Sequence, residues 1–194
     1  MEHYAQLKIA KAKPVPAWKA ALLPSSGTVL DVGCGAGQLA DAIGTGRVVG
    51  MDLRAELAGH CASRGLPSVV ARVPRLPFAD GSFAGVWCSH LLEHLDSGAQ
   101  AEAVSEFRRV LAPGGRLVVF APTPYHWYFW DDATHVRPLT HGSLANLAGE
   151  AGLRVVRSFY SRARWLPGIV HRYMRVLPLP YLFWEACLVA ERPS

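Results

Sequence analysis

Asp31-Val32-Gly33-Cys34-Gly35-Ala36-Gly37 sets three glycines at alternate positions behind the apolar run that ends at Val32, and Val48-Val49-Gly50-Met51-Asp52 is a second apolar run ending on a carboxylate. Glycine adopts backbone angles that a side chain penalises and lets the backbone pass close to a bound molecule. Asp52 stands 17 residues after Gly35, where the second strand of a β-α-β unit offers a carboxylate to a pair of ribose hydroxyls. The chemistry this predicts is capture of a nucleoside cofactor. Asp31 has two readings: it orders the glycine turn through backbone hydrogen bonds, or it touches the cofactor. A dinucleotide fingerprint G-x-G-x-x-G needs a third glycine at position 38, where Gln38 stands. That disfavours an NAD-dependent oxidoreductase.

Other residues suited to proton or metal chemistry fall later in the chain. His90-Leu91-Leu92-Glu93-His94 is literally H-x-x-E-H, a zinc-protease pattern. That chemistry needs both histidines on one established helix and a further ligand from elsewhere. Here the run follows a predicted strand directly, so no metal is assigned: Glu93 and His94 orient a loop, and His90 is a candidate to face substrate. Residues 122–139 contain Tyr125, His126, Trp127, Trp130, Asp131 and His135. His126 and His135 titrate in a useful range, and Asp131 is a candidate base or orienting acid. Trp127 and Trp130 either form an acceptor pocket or pack as the core of a lid.

The elements that must position these residues alternate. The pattern predicts strands near 28–32, 47–51, 69–70, 85–88 and 116–121, with helices over 36–43, up to Cys61, and over 98–111, the last stopped by Pro113-Gly114-Gly115. A short helix over 3–13 stops at Pro14 and Pro16, and Thr140 caps a helix to Glu150. Strands near 153–160 and 184–190 close the series without a full crossover helix between them, which suits an antiparallel last strand. The fold class is α/β: a Rossmann-like three-layer sandwich with a mostly parallel seven-stranded sheet. Ligands in such sheets bind outside the carboxyl ends of the strands, which puts the 122–139 loop over the site.

The G-x-G-x-G motif behind Asp31 resembles the first motif of the class I S-adenosylmethionine-dependent methyltransferases. Leu76-Pro77-Phe78-Ala79-Asp80, Leu92-Glu93-His94-Leu95 and Arg109-Val110-Leu111-Ala112-Pro113-Gly114-Gly115 follow in that family's order, over roughly residues 28–121. The resemblance implies S-adenosylmethionine as cofactor and S-adenosylhomocysteine as product. Asp31, Gly33, Cys34, Gly35 and Gly37 then lie beside its amino-acid end, Asp52 holds the ribose, Leu53 and Val73 flank the adenine, and Ser89 meets the methionine moiety. The acids implied at Arg72 and Ala84 are missing, and an arginine cannot accept a hydrogen bond from the adenine amine. A non-catalytic methyltransferase-like partner subunit is therefore carried as an alternative, and an RNA methyltransferase as another.

A chain of 194 residues, with 51% hydrophobic and 18% charged residues, suits one domain. Residues 1–27 read as an N-terminal extension, 122–139 as an active-site loop and 161–183 as a basic and aromatic insertion or cap. The formal net charge is +5, and no acid stands between Glu150 and Glu185. That field either attracts an anionic partner or merely solvates the surface. The preferred acceptor is a small or lipid-linked metabolite bearing oxygen or nitrogen, with nucleic acid second. Peripheral membrane contact and a homodimer are further readings of the 161–183 stretch. Apolar runs too short to span a bilayer, no apparent leader and four dispersed cysteines suggest the cytoplasm.

Overall fold

The computed structural model describes residues 2–162 and 183–194, with elements in the order α1 (Glu2–Ala10), α2 (Ala17–Ala20), β1 (Val29–Val32), α3 (Gln38–Ile43), β2 (Val48–Asp52), α4 (Ala55–Ser63), β3 (Ser68–Val70), β4 (Phe83–Ser89), α5 (Ser97–Val110), β5 (Leu111–Pro122), α6 (Trp127–Asp131), α7 (His141–Glu150), β6 (Arg154–Arg162) and β7 (Phe183–Glu191). Short 3-10 turns lie at Thr45–Arg47 and Leu92–His94. The predicted cap over 161–183 lies, apart from its ends, outside the described residues.

The seven strands form one sheet in the order β3-β2-β1-β4-β5-β7-β6. The first five run parallel, and β7 is antiparallel to both β5 and β6. Strand order reverses between β1 and β4, and that switch point opens a crevice at their carboxyl ends.

Alternation along the strands builds the layers. Leu30, Val86, Leu117 and Val119 pack into one core, and Val29, Trp87, Val118 and Phe120 into another. β1 is buried at all four positions, as a central strand covered on both faces must be. On one face lie α5 and α7, bringing Val104, Phe107, Leu144 and Ala148. The other core takes Leu39, Cys61 and Leu66 from α3, α4 and the turn after α4.

Side chains cap two helices, that of α7 at the predicted Thr140. Asp96 accepts from the Ala99 amide at 2.9 Å to cap α5, and Thr140 with Ser143 forms a reciprocal box at α7. Pro113-Gly114-Gly115 acts differently from the expected helix stop. α5 already ends at Val110, and the three residues lie in a register break, with Phe83 paired to Leu111 and Gly85 to Arg116. All four cysteines are buried and free. No helix among the described residues is long and apolar enough to cross a membrane.

Candidate active site at the switch point

The turn after β1 is clamped by β2: the Gly33 and Cys34 amides both donate to the Met51 carbonyl, at 2.8 and 3.0 Å. Gly35 has φ 54°, and a Cβ built there would meet only Gln38 Oε1, at 3.6 Å. Its backbone therefore borders open space in a conformation that suits glycine. Gly33 faces Leu91 so closely that a Cβ would lie 2.8 Å from Cδ1. Gly37 precedes α3. The Cys34 side chain points beneath the turn, with its sulfur 3.8 Å from that of Cys61, so only its backbone borders the crevice.

Asp52 ends β2 with a carboxylate tied to the same turn. Oδ2 accepts from the Gly35 amide at 3.0 Å and Oδ1 from the Arg54 amide at 2.9 Å. An ionised carboxylate has about four acceptor positions; two are taken here, leaving roughly one on each oxygen. That matches a pair of adjacent hydroxyl donors. Leu53 beside it is 63% exposed, an apolar side chain open to stack on a flat heterocycle. These features fit the nucleoside end of S-adenosylmethionine.

Asp31 is buried, and no hydrogen bond to its carboxyl group is found among the described residues. Burial first, then Cys61 and Asp52, push its pKa up to about 8. Of its two sequence readings, ordering of the turn finds no bond to support it. A buried acid that lacks a partner favours an approaching cation.

Across the crevice, Ser89 ends β4, half-buried. His90 follows with φ 54°, a strained value for a residue with a side chain. Its Nε2 lies 2.8 Å from Glu185 Oε1. Partial desolvation lowers the His90 pKa, but the Glu185 bond and the Glu93 and Glu185 charges outweigh it and raise the value. Glu185 on β7 also receives Lys19 Nζ at 2.6 Å and the Ser161 hydroxyl at 3.0 Å. Burial works to raise its pKa, yet His90 and Lys19 hold it down to about 2. Sequence reasoning did not single out Lys19 or Glu185. One signal was present: Glu185 is the acid that ends the acid-free stretch after Glu150.

His135 approaches the same edge from the 122–139 loop. The Val136 and Arg137 amides donate to the Glu93 carbonyl at 2.8 and 3.1 Å, docking the loop on the segment after β4. His135 Nε2 then stands 4.0 Å from Glu93 Oε1 and 3.8 Å from Asp132 Oδ2. The acid beside this histidine is thus Asp132, while Asp131 is exposed at the end of α6. His126 is buried, its ring centroid 4.8 Å from that of Trp184. Trp127 and Trp130 are 64% and 68% exposed, so neither ring is buried as the core of a lid.

Arg72 is exposed, and Arg72, Val73, Arg75 and His94 line a cleft of about 450 Å³. Val73 is half-buried against the core, so it offers an apolar wall where the implied acid is missing. Ala84 lies near the start of β4, the end remote from the crevice. Its departure from the family pattern therefore leaves the site untouched.

Residues 30–119 match the family described as "Methyltransferase domain". A ubiquinone/menaquinone biosynthesis C-methyltransferase of Desulfotalea psychrophila is 32% identical over 109 residues, covering 52% of this chain and 44% of that one. The O-methyltransferase resE of Aspergillus sclerotiorum is 34% identical over 147 residues, covering 66% and 55% respectively. The crystal structure of a SAM-dependent methyltransferase from Archaeoglobus fulgidus has the same fold, with a TM-score of 0.71 at 20% identity over 96% of this chain and 94% of that one. The chain spans about half the length of the two sequence relatives.

Proposed function

From the match of residues 30–119 to a methyltransferase domain, we propose that this chain is a class I S-adenosylmethionine-dependent methyltransferase and transfers the donor's methyl group to an oxygen or nitrogen of a small or lipid-linked acceptor. The observation that carries the reading is the Asp52 carboxylate. It is held by the Gly35 and Arg54 amides with an acceptor position left on each oxygen, beside the open backbone of Gly35.

The bound donor supplies a methyl group already activated by its sulfonium charge, so the chain's work is to bind, orient and exclude water. Asp52 accepts the two ribose hydroxyls and Leu53 covers the heterocycle. Asp31 gives the donor's cationic end a buried counter-charge. The exposed Trp127 and Trp130 rings supply apolar surface that favours an acceptor with aromatic or hydrocarbon bulk. His90 and His135 are the candidates to accept the proton that an O–H or N–H acceptor loses. His90 is engaged through Nε2 by Glu185, which makes His135 the better base.

Calorimetric titration with S-adenosylmethionine and S-adenosylhomocysteine, with NAD as control, tests the cofactor half of the proposal. Selective, saturable binding of the first two is expected. Asp52→Ala removes charge-assisted bonds of about 1.5–3 kcal/mol and should weaken that binding roughly ten- to a hundred-fold. Gly35→Val should abolish it. Undiminished affinity in both folded variants overturns the assigned site. A screen of small phenolic, amine and lipid-linked acceptors tests the other half; turnover confined to RNA would overturn the acceptor class.

A further inference from the structure

We propose that Glu93, His94 and His135 form a binding site for a first-row divalent transition-metal ion at the carboxyl edge of β4. One ligand atom from each of the three lies within 4.8 Å of the others. The H-x-x-E-H run needed a further ligand from a distant segment. His135 is such a ligand, brought in by the two amides that bond the Glu93 carbonyl.

Glu93 supplies the independent observation. Its side chain is fully buried, and neither Oε1 nor Oε2 has a hydrogen-bond partner among the described residues. Leaving a buried carboxylate unsatisfied is costly, and native folds rarely do so without a reason. The groups around it are imidazoles beyond bonding range: His90 Nδ1 at 3.6 Å and His135 Nε2 at 4.0 Å. A cation between the carboxylate and the histidines supplies the partner that the carboxylate lacks.

The histidines are held as ligands require. His135 Nδ1 lies 2.7 Å from the Phe129 carbonyl, and a carbonyl can only accept, so Nδ1 carries the proton and Nε2 the lone pair. His94 Nδ1 lies 3.0 Å from the Thr134 carbonyl, which fixes the same tautomer. Ligating histidines usually donate their second nitrogen in this way. The Thr134 hydroxyl donates to Asp132 Oδ1 at 2.6 Å, so an outer acid is anchored too. Ligand bonds of about 2.0–2.2 Å need the three atoms to close in by less than roughly an ångström. His94, exposed and lining the cleft, provides access.

Two imidazoles and one carboxylate suit zinc, manganese, iron or cobalt better than magnesium or calcium, and leave coordination positions open. The site itself does not depend on methyl transfer. Only its use there rests on the function proposed above: with His135 Nε2 on the ion, the ion eases loss of the acceptor's proton in place of that ring.

Chelator-stripped full-length protein titrated with Mn²⁺, followed by loss of the free-ion electron paramagnetic resonance signal, tests the site. One ion per chain is expected, and Co²⁺ should develop visible bands of a nitrogen- and oxygen-ligated ion. Glu93→Gln, His135→Ala and the surface variant His94→Gln should each weaken binding at least about ten-fold. Two results overturn the proposal. One is no saturable binding by protein that is folded by circular dichroism. The other is equal affinity in wild type and all three variants, as expected if a protonated histidine already neutralises Glu93. S-adenosylhomocysteine affinity measured on the same samples separates the two readings: donor binding without metal binding sinks only the metal site, and the reverse sinks only the cofactor site.

Discussion

Asp31 and Asp52 illustrate how neighbouring carboxylates divide a binding task. Asp52 has two amide donors and reads as an acceptor for hydroxyls, whereas buried Asp31, with no hydrogen bond to its carboxyl group among the described residues, has a pKa pushed up to about 8. In the free protein at pH 7 Asp31 is therefore mostly protonated. A cationic donor end favours the ionised form and drives its pKa down, so binding should release close to one proton per chain. Calorimetry at pH 7 in two buffers of different ionisation enthalpy reads that proton directly. Asp31→Asn should abolish the buffer dependence; a release that persists in this variant would assign the proton elsewhere.

Between elements, the side chains of α5 do what the loop before β4 cannot do for itself. Arg109 donates to the Leu76 and Phe78 carbonyls at 3.0 and 2.8 Å and to Asp80 at 2.7 Å, and Glu106 accepts from the Leu76 amide at 3.0 Å. The guanidinium fork spans acceptors that a single ammonium cannot reach together. Arg109→Ala should cost about 2–3 kcal/mol, lowering the melting temperature by roughly 5–10 °C, with little rescue by Arg109→Lys. An unchanged melting curve would show that packing alone holds the loop. These bonds explain why two stretches thirty residues apart in the sequence read as parts of one pattern. The glycine turn, the strands and the α7 cap were legible because each is fixed by local chemistry: backbone angles at Gly35, apolar alternation, Thr140 before a helix. The Lys19–Glu185–His90 chain and the Glu93–His135 approach were not. They join positions on different elements, and only strand order and loop docking bring such positions together. The stop assigned to Pro113-Gly114-Gly115 missed for the converse reason. Turn residues mark a break in regular pairing, and here the break is a register shift inside β5 rather than the end of α5.

At the scale of the molecule, one acid fastens the N-terminal segment to the site. Lys19 on α2 bonds both oxygens of Glu185 at 2.6 Å, and its ammonium sits 4.2 Å from the Phe120 ring centre. Glu185 in turn holds Ser161 on β6 and His90 after β4. With its pKa depressed from 4.5 to about 2, Glu185 adds stability that is complete above pH 4.5 and lost as pH falls towards 2. The depression corresponds to about 3 kcal/mol at 1.36 kcal/mol per unit. Asp31 has the opposite sign. Its folded pKa of about 8 exceeds the ordinary 3.8, so the folded state binds more protons between those values, and stability falls as pH rises through that window. Together they predict a melting temperature that peaks on the acid side of neutrality and declines to pH 8. Glu185→Gln should flatten the acid limb and lower the peak, while Asp31→Asn should flatten the decline above pH 5. Scanning calorimetry of the three proteins from pH 3 to 9 checks both limbs. A wild-type maximum at or above pH 8, or an Asp31→Asn curve parallel to wild type, would break the assignment of the alkaline limb to that buried acid.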